Sequence, residues 1–290
     1  MAQTKTEIQA LLDSIGNSPR HRFGQNFMID QNLVRLVADS AGITKDDTVI
    51  EVGPGTGTLT EELLERAGKV IAVEIDRDLA KLLRERFGSN ERFELIEGDA
   101  LAGKHELNPA LIERILPVTA GQRPARPRAA IKLVANLPYN IASPLVIEML
   151  IAGVDVLAFT VQKEVADRLR AKENDDAYGP LSVMASLLAR VEVLRTLPPQ
   201  AFWPPPKIES ALVRMTRDDR LGADANAFST FVHQVFSFRR KTLRRALANA
   251  GFEESAASAL TELQLDPQLR PENLSPAQLH ALFLRLRAAT

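Results

Sequence analysis

The sequence predicts an α/β fold built on a parallel sheet, with a small all-helical domain after it. Three observations predict it. Short β-branched or apolar runs alternate with segments of helical spacing, the rhythm of βαβ units. Several of those runs end in glycine or acidic residues, which suits strands whose carboxyl ends face a ligand crevice. Beyond Thr216 every periodic stretch is helical.

In chain order, residues 1–20 read as a short helix and a polar, proline-containing lead. The block from His21 to Met28 is rich in polar and aromatic residues and could pack its two phenylalanines on the domain as an arm. It precedes a helical pattern at Leu33, Val34, Leu36 and Val37. Residues 48–52 form a β-branched strand that enters Gly53-Pro54-Gly55-Thr56-Gly57, and a helix follows (Leu59, Leu63, Leu64). Residues 69–74 are the second strand, ending in Glu74-Ile75-Asp76, with helical spacing from Leu79 to Phe87. Residues 92–96 are the third strand, ending in Glu97-Gly98-Asp99. Asp46, Asp47 and Glu61 read as solvated surface charges.

Residues 102–130 interrupt this rhythm. A helical piece (Leu111, Ile112, Ile115, Leu116) leads to a basic, Pro-rich loop at 121–128, expected to be exposed. The apolar strand 131–135 then runs into Asn136-Leu137-Pro138-Tyr139. A helix is expected to begin near Ser143-Pro144, with Ser143 a candidate N-cap and Pro144 at the first helical position. A fifth strand (154–161), a helix opening at Gln162-Lys163-Glu164 and a helix at 181–189 follow. Two alternating strands (191–197 and 208–215) flank a stiff polyproline segment, 201–207. Residues 216–225 read as a linker, which divides the chain into domains 1–217 and 218–290.

Composition excludes several classes. With 290 residues, 45% hydrophobic and 25% charged, the chain is an ordinary globular sequence, neither disordered nor membrane-like. No apolar run reaches the ~18 residues of a spanning helix. Residues 1–14 carry acids and no continuous apolar core, so no secretory signal is expected and the expected compartment is the cytoplasm. No cysteine is present and the four histidines are scattered, so no metal site is expected. A net charge of −1 leaves room only for a local basic patch, not a globally basic coat. A monomer is the default expectation.

The chemistry lies at the strand ends. Alternate glycines let backbone approach a ligand at a helix start, and the spacing is not that of a dinucleotide turn. Glu74 suits ribose hydroxyls, and Asp99 is placed to accept from an adenine amine. Glycine turn, ribose acid and adenine acid in series make an S-adenosylmethionine pocket. Asn136 then presents an amide oxygen beside Tyr139, a flat face for a base. If Asn136 Oδ1 and the backbone carbonyl of Leu137 or Pro138 accept the two N–H bonds of an aromatic amine, its lone pair is oriented for methyl transfer. The base must leave its stack to arrive there, held between Tyr139 and an aromatic such as Phe202. Trp203 is expected to pack on its own prolines. Arg239, Arg240, Lys241, Arg244 and Arg245 form a dense basic run on a helix, a candidate RNA contact, with a second cluster at Lys163, Arg168, Arg170 and Lys172.

Read together, these blocks resemble the bacterial small-subunit ribosomal RNA adenine N6,N6-dimethyltransferases, from Arg22 to near the C-terminus. The matching blocks are Arg22-Phe23-Gly24-Gln25-Asn26-Phe27, Glu51-Val52-Gly53-Pro54-Gly55, Asn136-Leu137-Pro138-Tyr139-Asn140, Gln162-Lys163-Glu164-Val165, Ala177-Tyr178-Gly179 and Phe202-Trp203-Pro204-Pro205-Pro206-Lys207. The tail adds Phe238-Arg239-Arg240-Lys241-Thr242-Leu243, and Asp266-Pro267 with Arg270-Pro271-Glu272-Asn273-Leu274-Ser275. The resemblance implies a Rossmann-like class I methyltransferase domain. It also implies dimethylation of two adjacent adenosines in the 3′-terminal hairpin of 16S rRNA, within an immature small ribosomal subunit. Cofactor contacts are implied at Asn26, Met28, Gly53, Glu74, Asp99 and Asn136. The segment between Asp99 and Asn136 is longer than the family pattern, as an RNA contact or a neutral insertion. Two rivals stand beside this reading: a 23S rRNA adenine methyltransferase of the macrolide-resistance type, and a non-catalytic ribosome assembly factor.

Overall fold

A capping box opens the described chain: Glu7 N–H donates to Thr4 Oγ1, and Thr4 N–H donates back to the Glu7 carboxylate at 2.6 Å. The structure is a computed structural model that describes residues 3–20, 23–103, 106–119 and 129–288. The 121–128 loop and His21-Arg22 of the N-terminal block lie outside those residues. Helix α1 (Lys5–Ser14) buries Ile8 and Leu12 against Phe27, Leu79 and Leu82. Then come β1 (Phe27–Met28), α2 (Gln31–Ser40), β2 (Thr48–Val52), α3 (Thr58–Arg66), β3 (Lys69–Glu74), α4 (Arg77–Phe87) and β4 (Phe93–Glu97). A hairpin of β5 (Leu101–Gly103) and β6 (Glu106–Leu107) leads to α5 (Pro109–Thr119), β7 (Ile131–Asn136), α6 (Ala142–Ile151), β8 (Val156–Gln162) and α7 (Lys163–Arg170). Helix α8 (Pro180–Leu188), β9 (Ala189–Leu197), β10 (Phe202–Trp203) and β11 (Ser210–Arg217) precede four helices: α9 (Ala225–Phe236), α10 (Leu243–Leu247), α11 (Glu253–Glu262) and α12 (Pro276–Arg287).

Seven strands form one sheet in the order β4-β3-β2-β7-β8-β11-β9. The five strands β4 to β8 in that order are parallel, and β11 runs antiparallel to β8. From β2 the chain steps outward to β3 and β4, then returns to place β7 on the other side of β2. Strand order therefore reverses between β2 and β7, and the crevice beyond their carboxyl ends is the expected ligand position of such a sheet. Strand β7 is buried from Ile131 to Ala135 and apolar there except for Lys132, as suits a strand covered on both faces.

Several elements differ from the sequence expectations. Helix α6 begins at Ala142 with Ile141 as N-cap, not at Ser143, because Ile141 N–H already turns back onto the Pro138 carbonyl at 3.2 Å. Pro144 then sits inside the first turn, where its missing N–H costs no helical bond. Phe202-Trp203 is a short strand paired antiparallel to β1 rather than the start of a polyproline helix, and the Trp203–Pro204 peptide is cis. Trp203 also stacks on Phe27, ring centroids 6.4 Å apart, a partner not expected from sequence. Asp47 is not solvated: it is buried, pairs with buried Lys132 at 2.8 Å and accepts the Ala130 N–H at 3.0 Å.

The chain divides into two compact units, residues 1–166 with 192–217, and 167–191 with 218–290. A single boundary at residue 217 takes in only one of the crossings between them. Residues 167–191 group with the helical unit for a visible reason. Tyr178 is buried there, its ring edge-on to Phe236 and its hydroxyl donating to the Leu274 carbonyl at 2.9 Å. The core of that unit is aromatic, with Phe228, Phe231 and Phe283 in mutual contact. Among the described residues no helix is long and apolar enough to cross a membrane.

Candidate active site

At the carboxyl ends of β2, β3, β4 and β7 lies a crevice whose fourth wall is the N-terminal arm, Phe23 to Met28. The glycine turn forms its floor. Gly53 and Gly55 have φ of +71° and +62°, the left-handed region that side chains rarely adopt. A Cβ on Gly55 would lie 2.8 Å from the Phe27 ring, and one on Gly53 would lie 3.2 Å from Pro138. The turn is thus pressed between the arm and the Asn-Leu-Pro-Tyr segment, and backbone alone fits.

Two carboxyls lie under this turn. Glu74 accepts the Gly55 N–H at 3.1 Å and the Asp76 N–H at 2.9 Å. Burial nonetheless pushes its pKa up to about 7, the backbone donors opposing part of that shift. Glu51 is buried deeper, accepts the Thr60 hydroxyl at 2.6 Å, and is raised by burial to about 8. At neutral pH Glu51 is therefore mainly protonated, while Glu74 titrates. Asp99 is exposed at the rim, where its carboxylate accepts the Leu101 N–H at 3.0 Å. The β5–β6 hairpin, absent from the sequence reading, brings up Asn108, which donates to the Asp99 carbonyl at 2.8 Å.

The arm is pinned through Asp76. Arg20 donates to both oxygens of buried Asp76 at 2.9 and 3.0 Å, and Gln25 reaches the same carboxylate at 3.2 Å. Asp76 meanwhile caps α4 through the Asp78 N–H. From the arm, the Asn26 carbonyl accepts Asn136 Nδ2–H at 2.6 Å. The oxygen of that same amide, Asn136 Oδ1, accepts the hydroxyl of Thr160 on β8. Tyr139, half-buried, shares a 2.8 Å hydrogen bond between its hydroxyl and Ser210 Oγ, and burial raises its pKa.

Of the residues read from sequence, Asn26, Met28, Gly53, Gly55, Glu74, Asp99, Asn136 and Pro138 all line the crevice. Leu137 has its side chain buried in the core, which leaves only its carbonyl for a ligand. Phe202 is a correction. It is 1% exposed and sits among Met28, Leu33 and Val34, so it offers no face to a base. The cause is pairing: Phe202 stands opposite Met28 and points inward, which turns its neighbour Trp203 the other way. Sequence reasoning also missed Gln3. Its side chain donates to the Thr56 carbonyl at 3.2 Å and accepts from the Thr56 and Thr58 hydroxyls at 2.6 and 2.9 Å, which ties the chain start to the glycine turn.

In the helical unit, Arg239, Arg240, Lys241, Arg244 and Arg245 are all exposed. The first three, expected on a helix, instead occupy the turn between α9 and α10 and line a surface hollow with Phe238. Only Arg244 and Arg245 lie on α10. Among the described residues no cluster of His, Asp or Glu could hold a metal.

These residues fit a nucleoside-bearing ligand: a backbone cradle that a Cβ would fill, and acids at two successive strand ends. The comparisons with known proteins agree. The family model described as ribosomal RNA adenine dimethylase matches residues 16–288. The ribosomal RNA small subunit methyltransferase A of Hahella chejuensis is 42% identical over 267 residues, covering 90% of each chain. Among solved structures, a dimethyladenosine transferase from Plasmodium falciparum superposes with a TM-score of 0.66 at 23% identity, over 90% of this chain and 98% of that one. The 23S rRNA methyltransferase ErmE gives 0.58 at 26% identity, over 90% and 100%.

Proposed function

As the chain belongs to the ribosomal RNA adenine dimethylase family, we propose that it dimethylates N6 of two adjacent adenosines in the 3′-terminal hairpin of 16S rRNA. It is an S-adenosylmethionine-dependent enzyme on a Rossmann-like class I methyltransferase fold. The observation that carries the site reading is Asn136. Its amide is held at both ends and opens into the same crevice as the glycine turn, Glu74 and Asp99.

The cofactor supplies an electrophilic methyl group on a sulfonium. Gly53 and Gly55 would bring backbone against it, Glu74 would accept from ribose hydroxyls, and Asp99 from the adenine amine, with Asn26 and Met28 of the arm above. The adenine N6 lone pair of the substrate is delocalised into its ring and is a poor nucleophile. Asn136 Oδ1 accepts one of its N–H bonds. The Pro138 carbonyl already takes the Ile141 N–H at 3.2 Å, so the Leu137 carbonyl is the better second acceptor. Gripped by two acceptors, the nitrogen is drawn towards tetrahedral geometry and its lone pair is aimed. The alkylated nitrogen is acidic and loses its proton to water, so no histidine base is assigned. No histidine lies among the described residues of the crevice wall.

Tyr139 is the candidate stacking face. The basic residues from Arg239 to Arg245 supply phosphate affinity, the immature small subunit is the partner, and the cytoplasm is the compartment. The 42% identity to a small-subunit enzyme over 90% of each chain supports the small subunit. The test is to incubate the protein with labelled S-adenosylmethionine and unmethylated small or large subunits, then map the methylated bases. Label at adjacent adenosines of 16S rRNA is expected. Label only in large subunits overturns the substrate, and no label in either supports the non-catalytic assembly factor.

A further inference from the structure

Asn136 and Thr160 stand opposite each other in the register of β7 and β8. Thr160 is fully buried and lines no part of the crevice. Its hydroxyl donates to Asn136 Oδ1, while Asn136 Nδ2 donates to the Asn26 carbonyl. That carbonyl can only accept, which decides which end of the amide is nitrogen. A flipped amide would set two carbonyl oxygens against each other. Thr160 therefore faces the oxygen, and towards that oxygen it can act only as donor. Its β-branched side chain has few rotamers, so the hydroxyl is held where it is. A primary amide carries two acceptor sites and two N–H donors; with one of each engaged, one of each is left.

We infer that Thr160 is a positioning residue for the N6 grip: its hydroxyl fixes the Asn136 amide plane and leaves one Oδ1 lone pair for the substrate amine. The inference rests on the reading that Asn136 accepts from adenine N6. A merely structural threonine would instead use Asn136 only to satisfy its own buried hydroxyl. In that case Val, which keeps the shape and drops the hydroxyl, would leave methyl transfer alone.

The experiment compares Thr160→Val with Thr160→Ser in the full-length protein. With unmethylated small subunits and saturating cofactor, Thr160→Val is expected to slow single-turnover methyl transfer about tenfold, the effect of ~1.4 kcal/mol of lost positioning. Its cofactor dissociation constant, measured by titration, stays within about twofold because Thr160 bonds the Asn136 amide and neither the glycine turn nor Glu74. Thr160→Ser keeps the donor and recovers most of the rate. A Thr160→Val enzyme at full rate, or a Thr160→Ser enzyme as slow as Thr160→Val, overturns the inference. A second readout needs no turnover. In protein labelled with 15N-asparagine, the Asn136 side-chain NH2 pair is identified by its loss in Asn136→Ala. Its hydrogen exchange should quicken in Thr160→Val and not in Thr160→Ser; unchanged exchange in Thr160→Val overturns the held amide even if the subunits prove not to be substrates.

Discussion

Asn136→Ala removes an acceptor that matters only while the amine is being alkylated. Methyl transfer to small subunits should fall by ~10²–10³, with a much smaller change in subunit affinity measured by filter binding. Near-normal turnover in that variant would remove the grip from the mechanism. Glu74 carries a pH prediction. Its pKa is raised to about 7 by burial, so below neutrality the carboxyl is protonated and loses acceptor capacity for ribose hydroxyls. Cofactor affinity should therefore fall as pH drops below 7, approaching about one decade per unit, and be flat above. Calorimetric titration from pH 5.5 to 8.5 reads this, and Glu74→Gln should abolish the slope. Both residues were legible in the sequence because each ends a strand, where residue type and position together state a use. Thr160 and Gln3 were not legible. A threonine inside an apolar strand and a glutamine near the chain start are ordinary until the fold brings Asn136 and Thr56 beside them. Phe202 failed in the opposite sense: its motif was visible, but the direction of its side chain depends on a pairing with Met28 that sequence does not announce.

Helix α1 does more than cover apolar surface. It carries Gln3 at its head, and Gln3 makes three hydrogen bonds to the segment that leaves the glycine turn. Gln3→Ala would leave the buried Thr56 and Thr58 hydroxyls without that acceptor. The expected result is cofactor affinity about tenfold weaker, from ~1–2 kcal/mol of lost hydrogen bonding, with kcat at saturating cofactor unchanged. An unaltered dissociation constant would show that the turn holds its shape without α1. At this scale the long elements were readable, since alternation and helical spacing persist over enough residues to register. The pairing of β1 with β10 and the β5–β6 hairpin were not, because strands of two or three residues have no period. The antiparallel placement of β11 was also hidden: direction is set by the connections, and alternation is the same either way.

For the whole chain, the two units have different chemical duties. The α/β unit holds the crevice, and the helical unit exposes the cations from Arg239 to Arg245. Arg239→Ala with Arg240→Ala should weaken subunit binding and reduce the slope of log affinity against log salt by about two, one per phosphate contact. An unchanged slope would mean that these arginines only solvate the turn. That the chain ends in a helical unit was legible from periodicity, but its claim on residues 167–191 was not, since Tyr178 reveals its partners only once folded. One modest contact has a broader consequence. Asp47 takes the Ala130 N–H and pairs with Lys132, so the entrance to β7 is fastened independently of what precedes it. Asn136 thus arrives in a frame that is anchored at the entrance of β2 as well as by the ladder along β7. A reporter peptide inserted between α5 and β7 is expected to leave methyl transfer to small subunits unchanged; loss of transfer in that variant would show that the anchor at Asp47 is not enough.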